Sequence, residues 1–188
     1  FCFDSAKSFR KKLTADWETK YKDSPKKSDD WVQQRIRISE LCQEAGWACC
    51  ENEGFEADDI LASYAAQFYG YVSILGEDKD LYQCLSSRCN MFHGIDWIEK
   101  EMGERTAVYK WFTATSLKEK VGLTPEQHLE AQIIMGDSTD KVDGAKGVGD
   151  VWAVRLIQTF GTAEAAVEAA KTGDSRLTSM KRYQPISK

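Results

Sequence analysis

Short apolar runs alternate with amphipathic stretches along the first half of the chain. The opening FCF (1–3) reads as the tail of a buried strand that stops at Asp4, and WACC (47–50), YVSIL (71–75) and RCNMF (88–92) read as further short strands. Their apolar residues run together instead of alternating, the habit of strands covered on both faces. Helices are predicted between them. Residues 28–45 carry Ser28 as a cap, Asp29 and Asp30 at the positive end and Gly46 as a stop, with an apolar stripe through Ile38, Leu41, Cys42 and Ala45. Residues 56–69 form a second helix that buries Leu61, Ala65, Phe68 and Tyr69, and a short helix comes next around Leu81–Leu85. From about residue 105 the chain reads as helical. Thr124-Pro125-Glu126-Gln127 supplies a cap, a proline at the first helical position and a glutamine three residues after the cap. Strand–helix alternation of this kind predicts an α/β fold with a parallel sheet flanked by helices. Ligands of such sheets bind at the carboxyl ends of the strands.

Composition narrows the picture. A chain of 188 residues, 42% hydrophobic, can bury a core of its own. It has no apolar run of the ~18 residues that a membrane span needs, and no signal peptide is visible, although Phe1 is not a methionine. The six cysteines include no C-x-x-C pair and only His93 and His128 could join them, which argues against zinc and places the protein in a reducing cytoplasm. Net charge is −5, yet residues 7–27 hold eight Lys/Arg against three acids, a local +5 that leaves −10 for the rest. A basic segment on an acidic body suggests a polyanion on one face, though a lone charge run is more often a solvated helix face that binds nothing.

The acids fall at particular places. Asp4 comes after the first strand; Glu56, Asp58 and Asp59 open the helix after the second; Asp78 and Asp80 come after the third; Asp137 and Asp140 come after the helix ending in IIMG. Three of these four clusters are predicted on one sheet edge. First-turn acids are also favoured by the helix macrodipole, by a few tenths to about 1 kcal/mol, so each cluster alone is weak. Eight carboxylates packed together would repel one another strongly without cations. Oxygen donors with no His or Cys among them select Mg²⁺ or Mn²⁺, and two ions about 3.5–4 Å apart are usual for in-line hydrolysis at phosphate.

The stretch GDSTDKVDGAKGVGD (136–150) sets acids directly before glycines. Its spacing fits neither an EF-hand loop nor a P-loop. Asp137 and Asp140 lie one turn apart if Ser138 and Thr139 are helical, and Asp143 reads as a turn residue. Gly147-Val148-Gly149 opens a helix over 150–159, whose backbone N–H groups can meet phosphate.

FEADDILASYA, LGEDKDLYQCL and GDSTDKVDGAKGVG, in that order, with CFD at 2–4 and Phe9-Arg10, resemble the 5′-nuclease family. That family includes flap endonucleases and the 5′→3′ exonuclease domain of bacterial DNA polymerase I. The resemblance covers nearly the whole chain. It implies a PIN-like parallel α/β core (1–104, with a basic arch segment at 7–27), and a helical subdomain (105–188) with a helix-hairpin-helix at about 136–160. It implies one metal position held by Asp4, Glu56, Asp58 and Asp59 and a second held by Asp78, Asp80, Asp137 and Asp140. Arg10 and Lys22 become catalytic cations at the scissile phosphate. Lys22, in Tyr21-Lys22, stands further from Arg10 than the family pattern has it, and the arginine expected beyond is absent. Lys11, Lys12, Lys20, Lys146, Gly147 and Gly149 become DNA contacts. The implied activity is two-metal hydrolysis of DNA at 5′ flaps and 5′ ends by a monomer that is joined to, or cooperates with, a DNA polymerase. A potassium ion at the hairpin is a further family feature. The family also has a metal-binding aspartate upstream of everything seen here, so a catalytically incomplete DNA-binding module stays open, as does a PIN-like ribonuclease.

Overall fold

The computed structural model describes residues 1–5, 8–9, 27–99, 104–138 and 142–181. They form two compact units, Phe1–Gly70 and Tyr71–Lys188, each described by itself.

In the first unit, β1 (Cys2–Phe3) pairs in parallel with β2 (Cys50–Glu51), with Cys2 opposite Cys50. Helix α1 (Asp29–Glu44) connects them, and α2 (Ala57–Gln67) comes after β2. The Ser28 side chain accepts from the Trp31 N–H at 3.2 Å, so α1 begins where its capping residue predicts. The packing differs from expectation. Of the α1 stripe only Cys42 is buried, with Ile38 and Leu41 about half exposed, and in α2 only Ile60 is buried. A sheet of two residues per strand covers little more than one helical turn. Helix α2 also stops at Gln67, because Phe68 turns to extended backbone (ψ 129°), which leaves Phe68 and Tyr69 beyond the helix and exposed.

In the second unit, β3 (Val72–Leu75) pairs in parallel with β4 (Cys89–Glu99), and β4 pairs antiparallel with β5 (Arg105–Phe112). Two expectations are corrected by this pairing. The sheet is mixed, not purely parallel, and residues 105–112 are a strand, not helix. RTAVYKWF is rich in β-branched and aromatic residues, a strand composition that outweighs the helical character of the chain after residue 113. The pairing also carries β4 well past residue 92, through a register shift at Gly94, whose φ of 117° suits glycine alone.

A 3₁₀ turn (Lys79–Cys84) links β3 to β4. After β5 come α3 (Ala114–Val121), α4 (Pro125–Met135), a two-residue pair of β6 (Gly136–Asp137) with β7 (Val142–Asp143), and then α5 (Asp150–Phe160), α6 (Ala163–Thr172) and α7 (Ser175–Lys181). The predicted cap of α4 forms: Thr124 Oγ1 accepts from Gln127 N at 3.3 Å, and Gln127 Oε1 accepts from Thr124 N at 3.0 Å. Leu123, Ala131, Ile134, Ala153, Ile157, Ala163 and Ala166 make the core of the helical part, where alanines let α4, α5 and α6 approach closely. Glu130 of α4 accepts from the Ala163 N–H at 2.7 Å and so caps α6 from outside its own chain segment.

Candidate functional site

In the first unit, the acid after β1 meets the start of α2. The Asp4 Oδ1 accepts the Ala57 N–H at 2.9 Å, so its carboxylate lies at the positive end of that helix. Glu56 is the N-cap residue, and Asp59 Oδ2 accepts the Glu56 N–H at 2.9 Å, closing a capping box. Asp58 stands in the same first turn, half-buried. Sequence patterning does not reveal Arg35. From α1 its guanidinium donates to the Asp4 carbonyl oxygen at 2.9 Å, pairs with Glu51 at 2.8 Å, and lies over the Phe3 ring at 5.3 Å. It thereby ties the ends of β1 and β2 together beside the acids. Nothing in its spacing along α1 marks it, because the contacts join residues far apart in sequence.

In the second unit, Asp78 caps the 3₁₀ turn, its Oδ1 accepting the Asp80 N–H at 2.9 Å. Asp80 Oδ1 accepts from Gln132 Nε2 of α4 at 2.7 Å. His128 stands one turn earlier on α4, near both the Gln132 side chain and the Asp80 charge. His128 is 8% exposed and packs on the Tyr82 ring at 5.4 Å, and His93 stacks on Phe112 at 4.6 Å. Burial holds the His128 imidazole below its ordinary pKa, opposed by the Gln132 hydrogen bond and the Asp80 charge. Burial raises the Tyr82 phenol, aided by the charges of Glu77 and Asp78. Asp137 comes directly after α4, half-buried in β6.

Asp137 itself is in strand and not helix, while its spacing to Asp140 lies outside the described residues. Gly136 adopts φ 69° and ends α4, and the chain turns into the β6–β7 pair. Gly147 turns at φ 80°, and Gly149, extended at φ −93°, is the N-cap residue of α5 without a side chain to cap it. Lys146 beside them is exposed. Arg10, Lys11, Lys12, Lys20, Lys22 and Asp140 lie outside the described residues.

Every candidate ligand is a carboxylate, a donor set suited to hard divalent cations such as Mg²⁺ or Mn²⁺. Among the described residues no three His, Cys, Asp or Glu side chains converge on one ion position. By donor chemistry the residues fit a magnesium-type ion. Also among the described residues, no helix is long and apolar enough to cross a membrane.

Comparison with known proteins gives concordant matches. The family described as 5′-3′ exonuclease, N-terminal resolvase-like domain, matches residues 1–122. The chain is 31% identical over 185 residues to DNA polymerase I of Rhizobium leguminosarum, covering 97% of this chain and 16% of that protein. It is 37% identical over 143 residues to the thermostable DNA polymerase I of Thermus aquaticus, covering 74% of this chain and 16% of that protein. Against the 5′-3′ exonuclease of Mycoplasma pneumoniae identity is 32% over 164 residues, 85% of this chain and 53% of that protein. The chain thus spans about a sixth of the polymerases and about half of the exonuclease. Among solved structures, the T5 D15 protein co-crystallised with metal ions superposes with a TM-score of 0.67 at 17% identity, covering 89% of this chain and 62% of that one. The catalytic core of Rad2 in complex with DNA substrate gives 0.56 at 17% identity, covering 99% and 54%. At these identities the structural likeness establishes the fold.

Proposed function

We propose, from the premise that this chain belongs to the 5′-3′ exonuclease family, that it hydrolyses DNA phosphodiesters at 5′ flaps and 5′ ends with two divalent metal ions. The observation that carries the proposal is the placement of the acids. Asp4 is held at the start of α2 beside Glu56, Asp58 and Asp59, and Asp78 and Asp80 sit on the turn after β3, with Asp80 anchored to α4 just ahead of Asp137. Relatives of the same family include DNA polymerase I and a protein named 5′-3′ exonuclease, which supports a role in removing primers or flaps during replication and repair.

In this reading Asp4, Glu56, Asp58 and Asp59 hold one ion, and Asp78, Asp80, Asp137 and Asp140 hold the other. Bound there, Mg²⁺ or Mn²⁺ supplies Lewis-acid activation of the attacking water and neutralises charge at the scissile phosphate. Arg10 and Lys22 neutralise charge on the same phosphate. Lys11, Lys12 and Lys20 hold the single-stranded backbone without reading bases. Lys146, Gly147 and Gly149 bring the start of α5 to duplex phosphates in the manner of a helix-hairpin-helix, the place for a K⁺ ion. The nuclease core is assigned to 1–104 and the helical DNA-holding part to 105–188.

Asp80→Asn tests the proposal. Cleavage of 5′-flap DNA in Mg²⁺ falls to background while duplex binding is retained. Loss of binding together with cleavage, or full cleavage by the variant, would overturn the assignment. Tight flap binding by the unmodified protein with no product in Mg²⁺ or Mn²⁺ would favour the binding-module reading instead.

A further inference from the structure

The contact between the acidic turn and α4 has a directional chemistry. An ionised carboxylate only accepts hydrogen bonds, so the Gln132 amide must face Asp80 with its NH₂ and turn its carbonyl oxygen away. His128 stands one turn earlier on α4, close enough to feel both the Gln132 side chain and the Asp80 charge. Its Nδ1 is buried and has no hydrogen-bond partner among the described residues. The imidazole is itself 8% exposed and lies against Tyr82 at 5.4 Å. Gln132 is thus joined to Asp80 with defined polarity, and it stands beside a histidine that is packed in the interior.

We propose that Gln132, buttressed by His128, is a positioning residue that fixes the orientation in which Asp80 meets a divalent cation. The inference rests on the metal-dependent nuclease reading above and names residues outside its ligand set. Partners of ligating carboxylates act by holding the donor oxygens in place before the ion arrives. Removal of Gln132 takes away one contact that orients Asp80, and part of the ion's binding free energy is then lost to ordering it.

The test reads metal binding apart from catalysis. Mn²⁺ affinity is measured on the full-length protein by electron paramagnetic resonance, in parallel with the Mn²⁺ dependence of 5′-flap cleavage. Gln132→Leu, which keeps the bulk and removes the hydrogen bonds, weakens Mn²⁺ binding by about 10-fold, the lower end for loss of a ligand's hydrogen-bond partner. The half-saturating Mn²⁺ for cleavage rises by more than the saturated rate falls, and affinity for the DNA is unchanged. Gln132→Met serves where the leucine variant does not fold. His128→Phe produces a smaller shift in the same direction, and combined with Gln132→Leu it adds nothing further, because the two act through one contact. Asp80→Asn is the control that separates the two readings. If it leaves Mn²⁺ binding and cleavage intact, the metal assignment itself is wrong. If it removes the tight Mn²⁺ site while Gln132→Leu and Gln132→Met leave affinity unchanged, the positioning role is overturned and the nuclease reading stands.

Discussion

Gly136 and Gly144 are confined by sterics, and Gly149 is not. A Cβ on Gly136 would lie 2.7 Å from the Asp143 carbonyl carbon, and one on Gly144 would lie 2.7 Å from Gly136 N and closer still to Met135 O. A Cβ on Gly149 meets nothing within 4 Å, and the residue does not need positive φ. The glycine-rich stretch therefore divides by cause. Gly136 and Gly144 let the two-residue β6–β7 pair close against the end of α4, whereas Gly149 has no packing reason to be glycine. We expect Gly136→Ala and Gly144→Ala to lower stability by about 1–3 kcal/mol or more, as overpacking does, measured by chemical denaturation. Gly149→Ala is expected to change stability by less than about 1 kcal/mol, because the gain from restricting the unfolded chain is opposed by alanine's poor fit at a helix N-cap. If Gly149 admits a phosphate to the start of α5, the same variant loses duplex affinity. Unchanged affinity would return Gly149 to an ordinary helix start. The acids divide in a similar way: Glu56 and Asp59 are already partners in a capping box, a role that first-turn carboxylates fill without any metal.

At the scale of elements, helix starts are the most legible feature. Ser28, Thr124 and Thr162 each place an oxygen on an early backbone N–H of the helix they precede, a signal carried entirely by local chemistry. Thr124→Ala removes the cap of α4, the helix that carries His128 and Gln132. We expect a loss of about 1 kcal/mol, read from denaturation midpoints, with cleavage retained below the new midpoint. A variant as stable as the parent would mean that Pro125 and packing alone start the helix. Strand β5 carries a local signal in Val108, Tyr109, Trp111 and Phe112, but the helical sequence beside it masks that signal, and pairing with β4 sets the strand's extent. The stripes of α1 and α2 mislead for a related reason. Periodicity says which side of a helix is apolar, but the area available on the facing sheet determines how much of that side is covered, and here Ile38 and Leu41 stay about half exposed.

At the scale of the whole molecule, charge is divided as it is in proteins that hold nucleic-acid backbone: +5 over residues 7–27 within a chain of net −5. We expect affinity for flap DNA to fall steeply with salt, log affinity dropping linearly with log salt at a slope near −0.9 per phosphate neutralised on duplex. A flat salt response would contradict the DNA-backbone reading. Family membership and the α/β class could both be read from the chain. Ordered motifs such as FEADDILASYA and LGEDKDLYQCL are local strings, and the caps beside them act within a turn. The mixed sheet, the bend after Gly136, the Arg35 tie between β1 and β2 and the Gln132–Asp80 contact could not be read in this way. Each depends on residues brought together across the fold, Arg35 with Asp4 and Gln132 with Asp80, 52 positions apart in the second case. The sequence by itself thus determined which carboxylates are present and which elements carry them. Tertiary structure decided how Asp80 is held, because a hydrogen bond between distant segments forms only once packing has set the two elements side by side.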